Sequence, residues 1–174
     1  MALPREYVAE SCPIARTLEI VGERWTLLVI RDAFYGVRRF SDFRAHLDIP
    51  KAVLAERLSL LVDEGVLARA AGEGRRGEYV LTAKGRRLWP TIWSLATWGN
   101  ENYVERAQRR SYRHADCGGA IGAERACSSC GQIPDVGDLV VHPPRQPRER
   151  AVRHDPVSEA LRCPHRLLEP IKPA

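Results

Sequence analysis

The first 65 residues carry apolar side chains at intervals of three or four positions, which is the spacing of amphipathic helices. Four helices are predicted here, with approximate bounds at residues 12–22, 23–34, 42–47 and 50–65. Ser41 is expected to cap the third helix, because a serine oxygen can accept a hydrogen bond from a backbone N–H of the first turn. The tripeptide Asp48-Ile49-Pro50 forms the turn before the fourth helix, since proline is tolerated in a helix's first turn.

The region after the fourth helix alternates between apolar and polar positions like two β-strands, at residues 66–70 and 78–81. The tip between them is rich in glycine and carries Arg75 and Arg76. Thr82 is expected to cap a long final helix over residues 83–109. The large apolar groups of that helix surround more of it than one buried face requires. The predicted fold is therefore mostly α with a small β-wing, a winged helix-turn-helix.

Charge and hydropathy narrow the class of protein. The net charge of +5 and the isoelectric point near 9.2 suit a polyanionic partner without proving one. The first ten residues lack the apolar stretch of a signal peptide, and no apolar run approaches the roughly 18 residues that span a bilayer. We therefore expect a cytoplasmic protein with no membrane partner, in which the five cysteines are not structural disulfides.

The order of the predicted elements points to binding of double-stranded DNA. A short helix, a tight turn and an amphipathic helix form a helix-turn-helix, whose second helix enters the major groove. Lys51 and Arg57 on that helix are expected to face the groove, and Arg75 and Arg76 at the wing tip to hold the backbone. Ser41 and Arg44 on the preceding helix complete the candidate set. A solvated helix face and a polar hairpin tip would give the same residues. Arg57 can instead pair with Asp63 or Glu64 on its own helix.

Seven short matches make the sequence similar to the HxlR-type family of bacterial winged-helix regulators. They span about residues 8–103 and are Cys12-Pro13-Ile14, Gly22-Glu23-Arg24-Trp25-Thr26, Arg39-Phe40-Ser41-Asp42-Phe43, Leu54-x-x-Arg57-Leu58, Gly65-Val66-Leu67, Tyr79-x-Leu81-Thr82-x-x-Gly85 and Trp98-Gly99. The resemblance implies a DNA-binding homodimer in which the first and last helices of the domain form the interface. One departure is Pro50, where many relatives have serine, so that no side chain can bind phosphate from this position.

Cys12 occupies a position at which some members of the resembling family sense oxidants or electrophiles. It lies just before a predicted helix, whose dipole can lower the pKa of a thiol, and Arg16 follows one turn later. Cys12 is therefore a redox-sensing candidate. A small residue packed at the dimer interface is the alternative.

A second group of cysteines predicts a zinc site. His114 and Cys117 form one half, Cys127 and Cys130 the other, and each half has the form ligand-x-x-ligand-Gly. Three thiolates and one imidazole satisfy tetrahedral zinc and leave no open position, so the zinc would be structural. The segment is also too poor in large apolar residues to fold by burial alone.

Three other interpretations of the cysteine segment stay open. Cys127 and Cys130 can form a redox pair, and the segment can be a loop without a metal. His142, Cys163 or His165 can replace His114 as the fourth ligand.

Three regions are expected: a DNA-binding and dimerisation domain at residues 1–109, a zinc-knuckle-like or zinc-ribbon-like appendage at 110–142, and a Pro/Arg-rich tail at 143–174. The tail is either poorly ordered or draped over the rest. No nucleophile with a paired base and no phosphate-cradling loop is present, so the chain is predicted not to be an enzyme. The predicted function is a homodimeric transcription regulator. The alternative is a zinc-bearing adaptor that binds protein through its winged helix.

Overall fold

The computed structural model describes residues 11–71, 77–146 and 154–171. Four helices come first, in the order that the sequence predicts. They are α1 (Pro13–Val21), α2 (Arg24–Phe34), α3 (Phe40–Leu47) and α4 (Lys51–Asp63). Their buried faces meet in one apolar core that includes Phe34, Phe43 and Leu58, each fully buried.

Helix α3 begins earlier than the sequence predicts. Arg39 is its N-cap residue and Phe40 its first helical residue, and no side chain caps it. Ser41 is therefore inside the first turn, where its hydroxyl donates to Asp42 Oδ1 at 2.9 Å, and the prediction that Ser41 caps the helix is wrong. Phe40 packs against the core, and this apolar contact extends the helix past the expected polar start.

The turn between α3 and α4 has the predicted position. Asp48 ends α3 in the left-handed region at φ 52°, a conformation that aspartate tolerates better than most residues. Ile49 is buried, and Pro50 is the N-cap residue of α4. The pair α3 and α4 is thus a helix-turn-helix fixed by one buried side chain in its turn.

The wing is a two-stranded antiparallel sheet. Strand β1 (Leu67–Ala70) pairs with strand β2 (Glu78–Leu81), with Leu67 opposite Leu81. The tip at residues 72–76 lies outside the described residues. Thr82 caps the following helix as predicted, since its Oγ1 accepts from the backbone N–H of Gly85 at 3.0 Å.

The long final helix is divided and shorter than predicted. A short helix, α5 (Ala83–Arg86), is followed by α6 (Trp89–Tyr103). Pro90 lies in the first turn of α6. Proline has no N–H to donate to the carbonyl four residues earlier, and its ring clashes there, so a continuous helix through residue 86 is excluded. In place of the rest of the predicted helix, residues 104–109 contain a 3₁₀ turn at Arg106–Gln108.

A second sheet joins the rest of the chain. Its strands are β3 (Ser111–His114), β4 (Leu139–His142) and β5 (His165–Arg166), in the order β3-β4-β5 and all antiparallel. Helix α7 (Pro156–Ala160) precedes β5. The predicted tail, residues 143–174, thus contributes β5 to a sheet whose other two strands lie in the predicted appendage, residues 110–142. The boundary between these two regions at residue 142 stays a prediction.

Residues 154–171 are packed against the winged helix rather than poorly ordered. Val157, Leu161 and Leu167 are buried in the same core as α2. The backbone N–H of Leu168 donates to Phe34 O at 2.9 Å, and that of Ile171 to Gly36 O at 3.1 Å.

Gly36 makes this docking possible. It has φ +86°, and a Cβ there would collide with the backbone carbonyl of Glu169.

In the part of the chain that the structure describes, every helix is too short or too polar to cross a membrane.

Candidate DNA-binding surface and metal site

One face of α4 is open to solvent. Leu54, Leu58 and Leu61 lie on the opposite face and are fully buried. The exposed face carries Lys51, Ala52, Ala55, Glu56 and Ser59. Two alanines on this face allow a close approach to a groove. The sequence analysis did not single them out, although their spacing opposite the buried leucines would have identified them.

Arg57 lies at the edge of that face. Its side chain is only 14% exposed and pairs with the neighbouring Glu56. Arg57 therefore forms an ion pair on its own helix, as the alternative interpretation expects. Its partner is Glu56 rather than Asp63 or Glu64. Lys51, Ser41 and Arg44 are exposed. Arg75 and Arg76 lie outside the described residues.

Exposed apolar side chains concentrate on two helices. Among the described residues, the large apolar groups most open to solvent include Ile14 and Leu18 on α1 and Leu95, Trp98 and Tyr103 on α6. Trp98 is 57% exposed and contacts Tyr103 edge-on, at 5.3 Å between ring centres. A protein surface seldom leaves such groups uncovered without a partner.

Cys12 is the exposed N-cap residue of α1. Arg16, one turn later, forms an ion pair with Glu19 at 2.7 Å, so its guanidinium is held along the helix.

The four predicted metal ligands come together in the structure. Their ligand atoms all lie within 4.8 Å of one another. His114 Nδ1 is 3.4 Å from both Cys117 Sγ and Cys130 Sγ, and Cys117 Sγ is 3.4 Å from Cys127 Sγ. A tetrahedral zinc with ligands at about 2.0–2.3 Å sets them roughly 3.5–3.8 Å apart. We call these four residues the Cys/His site. Sulfurs at this distance are far from a disulfide bond of about 2.05 Å.

Residues 114–130 contain both halves of the site and the loop that joins them, and we call this segment the Cys/His hairpin. Ile121 and Cys127 pair as an isolated antiparallel bridge, and the N–H of Gly122 donates to Ala126 O at 3.0 Å. Gly118 and Gly131, which follow the second ligand of each half, have φ of +69° and +73°. Glycine adopts this conformation without strain, as the predicted tight turns require.

Backbone amides point at the sulfurs. The N–H groups of Cys130 and Ser129 donate to Cys127 and lower the pKa of that thiol to about 6. The N–H of Gly119 acts in the same direction on Cys117, but contacts with the neighbouring thiols and burial outweigh it and raise the pKa of Cys117. The backbone amides thus favour the thiolate of Cys127, which is the form of cysteine that binds metal.

Gly119 is a further residue that the sequence analysis missed. A Cβ there would collide with Cys127 Sγ and come within 2.6 Å of Ser129 Oγ. Only a glycine leaves space for the two halves to converge. This requirement appears once the halves are together, so the spacing of the ligands does not reveal it.

His114 is buried and uses its two ring nitrogens differently. Its Nδ1 faces the sulfurs, whereas Nε2 lies 3.7 Å from Asp116 Oδ2. A carboxylate near the outer nitrogen favours the tautomer that leaves Nδ1 free to bind a metal. The other candidates for a fourth ligand lie elsewhere: His142 is in β4, His165 Nε2 is 3.2 Å from Glu169 O, and Cys163 is exposed.

Comparison with known proteins assigns the winged-helix region to a family. The sequence profile of the HxlR-like helix-turn-helix family matches residues 20–108, which is about half of the chain. An uncharacterised HTH-type transcriptional regulator of Mycobacterium tuberculosis is 42% identical over 123 residues, which are 68% of this chain and 77% of that protein. The regulator YtfH of Escherichia coli is 33% identical over 110 residues, 62% of this chain and 87% of that protein.

The crystal structure of PA1607 shows a similar fold over most of this chain. It has a TM-score of 0.59 and 35% identity, and the match covers 70% of this chain and 87% of that chain. The Cys/His hairpin lies beyond the residues that the family profile covers. The chain belongs to the HxlR-like helix-turn-helix family of transcriptional regulators, as the sequence predicted, and is not an enzyme.

Proposed function

We propose that the protein is a homodimeric regulator that binds a specific double-stranded DNA site through α4 and the wing. The observation that carries the proposal is the solvent-exposed face of α4 in a chain that belongs to a DNA-binding family. Three side chains on the helix-turn-helix are exposed and are assigned as contacts to the DNA: Lys51, Ser41 and Arg44. A regulator of this kind acts where the chromosomal DNA is, so we expect the protein in the cytoplasm.

DNA binding is tested by selecting bound fragments from genomic DNA, including the region upstream of the protein's own gene. Lys51→Ala is expected to weaken binding and to reduce the salt slope by about 1 if Lys51 contacts phosphate. Arg106→Ala, which removes an exposed charge away from the helix-turn-helix, is the matched control. Replacing Arg75 and Arg76 with alanine is expected to flatten the salt dependence by about 0.9 for each phosphate that the arginines neutralise.

Failure to select any DNA would contradict the regulator proposal. A protein partner bound in the same experiments would instead favour the adaptor with a winged-helix scaffold.

The apolar faces of α1 and α6 support the dimer. An isologous contact would cover Trp98 and Tyr103 with their counterparts or with α1. Trp98→Ala is expected to raise the dimer Kd about thirtyfold, since interface tryptophans commonly contribute 2 kcal/mol or more. Ser94→Ala, on the same helix and also exposed, is the control. Sedimentation that shows a monomer for the unmodified protein at micromolar concentration would contradict the dimer.

We further propose that the Cys/His site holds one structural zinc ion. The convergence of one imidazole and three thiols, with backbone amides directed at the sulfurs, supports this set of ligands over the alternatives. Zinc would close a hairpin whose own apolar contacts are few. The protein's ligands fill a tetrahedral shell, so no position is left for a substrate.

Metal analysis of full-length protein purified without a histidine tag is expected to find about one zinc per chain. Gly119→Ala is expected to weaken metal affinity about tenfold or more, because its Cβ displaces Cys127. Gly122→Ala is the matched control, since a Cβ there meets nothing closer than Ala126 O at 3.8 Å. Equal affinities of the two variants, or a metal-free protein with an ordered hairpin, would refute the zinc site.

A further inference from the structure

The Cys/His hairpin contacts the winged helix through one specific hydrogen bond. Trp93 Nε1, on α6, donates to Ala123 O at 2.7 Å. Ala123 lies in the turn of the hairpin, which the N–H of Arg125 closes by donating to Gly122 O at 2.9 Å. The acceptor of the α6 tryptophan is therefore a carbonyl at the tip of the proposed metal-binding segment.

The position of that carbonyl depends on the Cys/His site. The turn begins at Ile121 and ends at Cys127, which pair across the hairpin, and Cys127 is one of the proposed ligands. Between the two halves of the site the hairpin buries no large apolar side chain completely, and Ile121 is only half-buried. Backbone hydrogen bonds also support the turn, from Ile121 N–H to Tyr112 O and from Gly122 N–H to Ala126 O, each at 3.0 Å. The side chains that join its two halves are the proposed ligands, so loss of a bound metal is expected to loosen the turn and with it Ala123 O.

The other end of the contact is rigid. Trp93 is buried, and its ring lies 5.0 Å from Tyr112 and 5.8 Å from Trp89, between ring centres. The hydrogen bond to Ala123 O satisfies the indole N–H and is itself only half-buried. When the turn is released, water replaces the acceptor, so α6 loses the stabilisation that the hairpin gives it through this bond.

The same helix carries the exposed apolar groups of the proposed dimer interface. Leu95 and Trp98 lie within five residues of Trp93, on the uncovered side of α6. Once this support is lost, these groups are expected to be held less firmly relative to α1, which supplies Ile14 and Leu18.

We infer that metal binding at the Cys/His site and dimer association through α6 are thermodynamically coupled, with Trp93 as the positioning residue that links them. The inference rests on the proposed zinc site and the proposed dimer. Coupling is reciprocal: if zinc tightens the dimer by some factor, dimer formation tightens zinc binding by the same factor. A regulator built this way associates, and hence occupies a two-part DNA site, according to the state of its thiols and the available zinc.

The test measures the dimer Kd of the full chain by sedimentation, with zinc and after chelation. Chelation is expected to raise the dimer Kd of the unmodified protein about fivefold, the value of one hydrogen bond. Trp93→Phe keeps a ring but removes the donor, and is expected to reduce the effect of the metal to less than twofold. Ser94→Ala, the next residue on α6, is expected to keep the full effect.

An NMR measurement makes the test independent of how well the variant folds. The chain has four tryptophans, and the indole N–H signal of Trp93 is expected to shift and lose protection when zinc is removed. The signal of Trp25, on α2, is expected to stay unchanged.

The outcomes separate the proposals. If cobalt gives no tetrahedral thiolate absorption and zinc does not bind, the zinc site fails and this inference with it. If zinc binds but the dimer Kd is the same with and without metal, or Trp93→Phe retains the full effect of the metal, the coupling alone is overturned.

Discussion

The winged helix and the Cys/His hairpin differ in what they bury. Residues 13–103 enclose Phe34, Phe43 and Leu58 completely, and their core continues into residues 157–171. The hairpin at 114–130 buries Cys127 and His114, two potential ligands, and no large aliphatic or aromatic side chain. One chain thus combines a region that folds by excluding water from apolar groups with one whose buried side chains are potential metal ligands. The two regions should respond to different perturbations.

Metal removal is expected to have the largest effect, concentrated on the hairpin and on its hydrogen bond to Trp93 of α6. Structural zinc contributes roughly 10 kcal/mol or more to the small folds that depend on it. Chelation should therefore abolish the hydrogen-exchange protection of residues 114–130, while the amides of α2 and α4 keep theirs. Hydrogen exchange followed by mass spectrometry checks this. Loss of protection throughout the chain would mean that the two regions do not differ as described.

Phe34→Ala should have the opposite pattern. Phe34 is fully buried, and its ring lies 5.0 Å from that of Trp89. Truncation is expected to lower the free energy of unfolding by about 3–5 kcal/mol. The decrease should be the same with and without zinc, as measured by urea denaturation. Ser94→Ala serves as the surface control, with an expected change within about 0.5 kcal/mol.

Gly36→Ala tests how the end of the chain attaches to the core. The positive φ and the collision with Glu169 O together should cost about 2 kcal/mol and release residues 165–171 from α2. Protease sensitivity and exchange in β5 report the release. Gly137→Ala is the control, because a Cβ there makes an ordinary contact with Leu168 at 3.8 Å. Unchanged protection of β5 in Gly36→Ala would show that the segment docks by other contacts.

Cys12→Ser should have the smallest effect on the resting protein. Cys12 is exposed, so the change in stability should stay within about 0.5 kcal/mol, and DNA binding should be normal. If Cys12 is the sensor, hydrogen peroxide converts its thiolate to a sulfenic acid with release of hydroxide, and this alters DNA binding. DNA binding by Cys12→Ser then no longer responds to peroxide. Cys163→Ser, which removes a different exposed thiol, keeps the response. A response that persists in Cys12→Ser would exclude the role.

Local patterns predicted the elements whose signals are local. The periodic leucines predicted α4, and the spacing of ligands and glycines predicted the Cys/His site. The break before Trp89 was also readable, because Pro90 cannot continue a helix, yet the run of apolar residues favoured one long helix. Strand β5 has two residues and so shows no periodicity. Its place, like the need for glycine at residue 36, depends on segments far away in sequence. The need for glycine at residue 119 depends on how the two halves of the hairpin converge.

The docking of the C-terminal segment has a consequence for how the molecule folds. Arg38 donates from Nη2 to Leu168 O at 3.4 Å, across a separation of 130 residues. Closing a loop of this length costs conformational entropy, so contacts this far apart in sequence form after the nearer ones. The helix-turn-helix should therefore assemble early, and the arrival of β5 beside β4 should be the late, slow phase of refolding. During synthesis, the backbone carbonyls of Phe34 and Gly36 therefore lack the N–H groups of Leu168 and Ile171 until that segment has been made.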